Sequence, residues 1–139
     1  MAEDFFPGQG DFKKYTWLFP PEGFKPFNRN NLFNTPAPAP GPSQETVLET
    51  IIPPPNYRGW VRWIGLEASN FQKVFYTIRK GGAPIDDYTR IVVPLGNPAT
   101  PISIFIEMEP NRTLELVATY TAATLALRYM ISGWFYPER

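Results

Sequence analysis

Ile102-Ser103-Ile104-Phe105-Ile106-Glu107-Met108-Glu109 is the stretch that decides the fold. Its aliphatic residues fall at 102, 104, 106 and 108, with Ser103, Phe105, Glu107 and Glu109 between them. Successive side chains of a strand point to opposite faces, so this spacing builds one apolar face and one mixed face. Pro110-Asn111 is turn chemistry. Beyond it Leu114, Leu116, Ala118 and Tyr120 alternate with Glu115, Val117 and Thr119. Further on, Leu127, Tyr129 and Ile131 oppose Arg128, Met130 and Ser132. Residues 114–130 hold enough Ala and Leu for a helix, but Thr113, Thr119, Thr121 and Thr124 lean towards strand. The apolar spacing at 114, 116, 125 and 127 fits a period of two better than 3.6.

The same pattern extends upstream. Residues 46–52 form an apolar run closed by Pro53-Pro54-Pro55, and residues 58–68 are rich in Trp, Val and Ile. Residues 73–79 place Val74, Tyr76 and Ile78 on one face before Gly81-Gly82, which permits a tight hairpin turn. Residues 88–93 follow Asp86-Asp87 and stop at Pro94. Short alternating strands with regular turn signals predict an all-β chain, an antiparallel, jelly-roll-like β-sandwich over residues 46–139. Its expected core includes Ile104, Ile106, Leu114, Leu116, Leu127 and Ile131.

Residues 1–45 read differently, as an extended N-terminal arm. Eight of the chain's 17 prolines stand there, and Pro36-Ala37-Pro38-Ala39-Pro40-Gly41-Pro42 suits a polyproline II spacer. Proline lacks a backbone donor and fixes φ, so such a segment cannot build its own helices or central strands. Yet the arm carries Phe5, Phe6, Phe12, Tyr15, Trp17, Phe19, Phe24, Phe27 and Phe33. Spacers without a partner are usually poor in aromatics. These nine residues are therefore the expected partner-binding set, docking into pockets on a partner or a neighbouring subunit. The alternative is an arm folded back on its own sandwich.

With 139 residues there is room for one domain. Thirteen basic residues balance thirteen acidic ones, which leaves no global basic footprint for nucleic acid. No run approaches the ~20 apolar residues of a membrane-spanning helix. The opening Met1-Ala2-Glu3-Asp4-Phe5-Phe6-Pro7 lacks the features of a secretory signal, so synthesis in a cytoplasm is expected. The absence of Cys and His excludes thiolate catalysis, zinc-finger sites and a Ser-His-Asp triad. Glu107 and Glu109 could form a carboxylate pair, but a solvated outer strand face explains them more simply. Asp86-Asp87 suits a turn better than a calcium site. The expectation is no catalytic residue, no cofactor and no metal. Trp60, Trp63, Trp134 and Tyr136 could stack on sugar rings. In a regular strand, however, Trp60 and Trp63 point to opposite faces, and only a bulge would join them.

The order of pieces resembles small jelly-roll virion proteins of tailed bacteriophages. The resemblance lies in the apolar first strand, Pro55-Asn56-Tyr57-Arg58-Gly59-Trp60-Val61-Arg62-Trp63-Ile64-Gly65, and the hairpin around Gly81-Gly82. It continues through Leu114-Glu115-Leu116-Val117-Ala118-Thr119 and Ile131-Ser132-Gly133-Trp134-Phe135-Tyr136-Pro137. It covers about residues 46–137 and is a pattern of strands and turns, without a diagnostic motif. The resemblance implies a capsid decoration (cement) protein or a fibre component, commonly a homotrimer, located in the virion. Its implied partners are the major capsid protein or neighbouring virion subunits. A carbohydrate- or receptor-binding fibre module is the alternative.

Overall fold

The computed structural model describes residues 16–36, 43–84, 91 and 102–138. Among them are eight strands: β1 (Lys25–Asn34), β2 (Gln44–Ile51), β3 (Tyr57–Ala68), β4 (Val74–Lys80), β5 (Ala83–Pro84), β6 (Ile102–Met108), β7 (Leu114–Tyr120) and β8 (Ala126–Pro137). A 3-10 turn, Phe71–Lys73, precedes β4. The strands form two antiparallel four-stranded sheets, ordered β1-β8-β3-β6 and β2-β7-β4-β5. Consecutive strands alternate between the sheets through most of the chain, and this interleaving is the jelly-roll arrangement. The segment with mixed helix and strand signals resolves into β7 and β8, separated by a turn in which Thr124 takes a positive φ of 55°. The run at 88–93 lies outside the described residues except for Ile91, whose backbone exchanges hydrogen bonds of 2.8 and 2.9 Å with Tyr76.

The alternating residues supply the core. Ile104, Ile106, Leu114, Leu116, Leu127 and Ile131 are all buried. They pack with Val61, Ile64, Leu66, Tyr76, Ile78, Met108 and Tyr120 between the sheets. Two tyrosines fasten one sheet to the other. The Tyr76 hydroxyl of β4 donates to the Glu67 carbonyl of β3 at 3.1 Å. The Tyr129 hydroxyl of β8 lies 2.9 Å from both the Leu48 carbonyl and the Glu49 carboxylate of β2. Gly81 and Gly82 join β4 to β5 with φ of 62° and 87°, as the two-residue turn needs.

The first sheet takes in part of the chain that the sequence assigns to the arm. Residues 25–34 form β1, in continuous antiparallel register with β8 from Lys25↔Phe135 to Asn34↔Ala126. The boundary drawn at residue 45 therefore leaves β1 on the arm side and falls within the start of β2. Phe27 and Phe33 face inwards, Phe27 stacking on Phe135 with ring centroids 4.8 Å apart. Between them, the same face carries Arg29 and Asn31, opposite Ile131 and Tyr129. Arg29 reaches the Glu49 carboxylate at 3.0 Å, so the sheet edge is closed by an ion pair rather than by aliphatic packing. That substitution removes the alternating apolar signal from a real strand.

Candidate functional site: an aromatic cluster around Arg62

A bulge creates the site. Against β8, Val61 stands opposite Gly133 and Trp63 opposite Ser132, so Arg62 is an extra residue on β3. The extra residue reverses the phase of the strand: Gly59 and Val61 face the core before it, Ile64 and Leu66 after it. Trp60 and Trp63 consequently share the outer face, which regular pleating forbids. Gly133 makes this possible, because a Cβ there would run into the Trp60 carbonyl oxygen. Trp134 of β8 stands on the same outer face, its ring 6.4 Å from that of Trp63, and β6 adds Ser103, Phe105 and Glu107.

Arg62 lies at the centre. Only 6% of it is exposed. Its guanidinium carbon sits 4.1 Å from the Phe105 ring centroid, 4.7 Å from Trp63 and 5.9 Å from Trp134. Its Nη1 donates to Ser103 Oγ at 3.1 Å and to the Ile104 carbonyl at 2.7 Å. Its Nε is buried without a hydrogen-bond partner. Among the described residues no carboxylate lies within ion-pair distance of it. Burial alone lowers its pKa from the ordinary arginine value, although a guanidinium still remains charged in any ordinary buffer. Above this buried cation, Trp63 and Phe105 stay 39% and 48% exposed.

The N-terminal segment is clasped onto the same face. Trp60 Nε1 donates to the Thr16 hydroxyl and Trp134 Nε1 to the Thr16 carbonyl, both at 2.8 Å. The next residue, Trp17, meets Phe105 edge to face, with centroids 5.0 Å apart and planes at 89°. The chain then turns through Pro20-Pro21-Glu22-Gly23, where Gly23 has a φ of 82°, and enters β1.

The nine aromatics expected to bind a partner are thus distributed unevenly. Phe5, Phe6, Phe12 and Tyr15 lie outside the described residues. Phe27 is buried in the chain's own core, and Phe33 packs against it beside Tyr120. Trp17 joins the Arg62 cluster. Phe19 and Phe24 are 48% and 43% exposed, as is Leu18 at 44%. The structure adds Trp60, Arg62, Trp63, Phe105 and Trp134, and the legible signal for them was the density of tryptophans at 60, 63 and 134. Glu107 and Glu109 do not act as a pair: Glu107 binds Arg58 at 2.9 Å and Glu109 binds Lys80 at 3.2 Å. Asp86 and Asp87 lie outside the described residues.

Further along the same outer face, Gly65 leaves a gap in the side-chain layer. The result is an open hollow of about 400 Å³ among Asn30, Leu32, Gly65, Arg128 and Met130. Compared with known proteins, the chain matches no family model and no curated protein.

Proposed function

We propose that this chain is a non-enzymatic structural protein of a tailed-bacteriophage virion. In this reading it decorates or cements the head, binding the major capsid protein or neighbouring subunits as a homotrimer. The observation that carries the reading is the outer face of the first sheet. The core is complete without that face, yet it presents a bulge-built cluster of tryptophans and leaves Trp63 and Phe105 open to solvent. Exposed aromatic surface of this kind is characteristic of contact surfaces between proteins. The N-terminal segment converges on the same place through Thr16 and Trp17. The resemblance of the strand pattern to phage jelly-roll proteins supplies the setting.

Co-sedimentation with purified phage heads tests the role. The full chain should bind heads in a fixed copy number. Trp63→Ser combined with Phe105→Ser should abolish binding while the protein still melts cooperatively, since neither ring belongs to the core cluster. Wild-type protein that fails to bind any head preparation would remove the proposal. A truncation at residue 45 would not be a clean test, because it also removes β1.

A carbohydrate-binding fibre module is the second reading. It is favoured by the bulge that brings Trp60 and Trp63 to one face, and by the hollow beside Gly65. Binding on a glycan array that is lost in Trp63→Ser would select it.

A further inference from the structure

β1 is an edge strand, and among the described residues its one sheet neighbour is β8. In an antiparallel ladder a residue turns its N–H and its C=O to the same side, and that side alternates along the strand. Thr35 continues the register of β1, and its N–H donates to the Leu125 carbonyl at 2.9 Å. The odd-numbered residues of β1 therefore bond to β8. Pro26, Asn28, Asn30, Leu32 and Asn34 turn their backbone groups to the open side. Every residue from Asn28 to Leu32 is exposed, and Leu32, 44% exposed, adds an apolar side chain to that edge. A long exposed edge of this kind is a template for another strand.

The template is incomplete, however. Pro26 has no N–H to offer. The Leu32 N–H is already taken, because Asn31 Oδ1 accepts it at 2.8 Å. The carboxamide oxygen stands where the carbonyl of an added strand would stand. Asn31 is exposed, so the core does not require it, and strand propensity would favour a β-branched residue in its place. The neighbouring edge of the second sheet is interrupted by a different means. β2 breaks register at Leu48, whose carbonyl accepts from Tyr129. Arg29 and Glu49 join the two edges through their ion pair. Two edges on one side of the sandwich, each broken by an unrelated device, describe a side kept clear of strand pairing.

We infer that the Asn31 side chain is a guard on the β1 edge, and that the strand it keeps away is the β1 of a second copy of this chain. Two copies of β1 paired antiparallel about Asn30 would set Asn28 of each opposite Leu32 of the other. Arg29 would then face an asparagine rather than a second arginine, so charge does not forbid the pairing. The contact is two-fold, so each guard costs it a backbone bond and the loss is felt twice. The inference goes beyond the structural role proposed above and does not depend on it. It says which side of the molecule is closed to other copies, whatever partner the tryptophan face receives.

The experiment uses full-length variants. Asn31→Val removes the acceptor and favours a strand. In sedimentation velocity it should self-associate about tenfold or more tightly than the wild type, since the pairing gains a backbone bond from each copy. Adding Asn30→Pro removes a donor from the open edge while keeping the bonds to β8, and should restore wild-type behaviour. If either change prevents cooperative melting, Asn31→Ala and Asn28→Pro take their places, since they remove the same acceptor and an equivalent donor. In the wild type, hydrogen exchange should show the Leu32 amide more protected than those of Asn28 and Asn30. The inference is overturned if the variant without the acceptor sediments like the wild type. It is equally overturned if the added proline leaves the association unchanged, which would move the contact away from β1. A Leu32 amide no more protected than its two neighbours on the edge would remove the guard itself.

Discussion

The two sheets present arginines to their outer faces in opposite ways. On the second sheet Arg79 lies 3.6 Å from both Glu45 and Glu115, an arrangement that links three strands with surface charge. On the first sheet Arg62 is wrapped in rings and has no carboxylate within ion-pair distance among the described residues; the Nε of both arginines is buried without a hydrogen-bond partner. The first arrangement is what a solvated strand face needs for solubility. The second adds nothing to the core and buries a cation that has no carboxylate within ion-pair distance among the described residues, a cost that folding alone gives no reason to bear. The difference teaches that the two outer faces answer to different demands, one to water and the other to the contact proposed above.

The strongest way to break this contrast is to remove the bulge. Gly133→Val would drive a side chain into the Trp60 carbonyl. Overpacking against backbone costs about 1–3 kcal/mol or more, and here the backbone itself must move. The expected outcome is a protein that does not melt cooperatively in calorimetry. A variant with the wild-type melting temperature would show that the bulge is not fixed by this glycine.

Ile106→Ala tests the face of β6 opposite Phe105. Ile106 is 3% exposed, and its truncation should lower stability in urea titration by about 2–5 kcal/mol. Phe105→Ser on the outer side of the same strand should cost far less. Equal losses would abolish the distinction between a folding face and a contact face.

Alkali should separate the sheets from each other. Burial and the neighbouring Glu49 carboxylate push the Tyr129 hydroxyl up to about 12, and burial raises Tyr76 further. A tyrosine whose folded pKa exceeds its unfolded value of about 10 holds its proton more tightly in the native state. Its contribution is fully present below about pH 10 and is lost as pH rises towards 12 and beyond. The melting temperature should therefore fall steeply above about pH 10. Tyr129→Phe should flatten that fall, since phenylalanine has no proton to lose, at the expense of the bonds to Leu48 and Glu49.

The smallest effect sharpens the contrast between the arginines. Arg79→Lys keeps a charge between two carboxylates and should change stability by less than about 1 kcal/mol, as for other partly exposed pairs. Arg62→Lys loses the planar stacking and one of the two acceptors, and should cost about 1–2 kcal/mol. Chemical denaturation of both variants measures the difference.

The sandwich was legible because its interior strands keep strict alternation. Residues 102–108 needed no other signal, residues 114–120 leaned also on their threonines, and the six core positions read from these runs and from β8 are buried. β1 was not legible, because its inward positions alternate an aromatic with a polar group: Phe27, Arg29, Asn31, Phe33. An edge strand closed by the Arg29–Glu49 pair carries no apolar stripe to detect. The site was half legible. The tryptophans drew attention at once, but a rule of strict alternation sends Trp60 and Trp63 to opposite faces. A bulge is decided by what lies across the strand, here Gly133, which is 70 positions or more from either tryptophan and gives no local sign. Arg62 was invisible for the same reason, since it matters only as the residue that the bulge inserts.

All four tryptophans of the chain, at 17, 60, 63 and 134, belong to the cluster on the outer face of the first sheet. Intrinsic tryptophan emission therefore comes entirely from that one patch. A spectral shift or quenching observed on assembly reports the patch directly, without a label, while events confined to the second sheet leave the signal unchanged. The molecule carries its own optical probe at the place where a partner is expected to arrive.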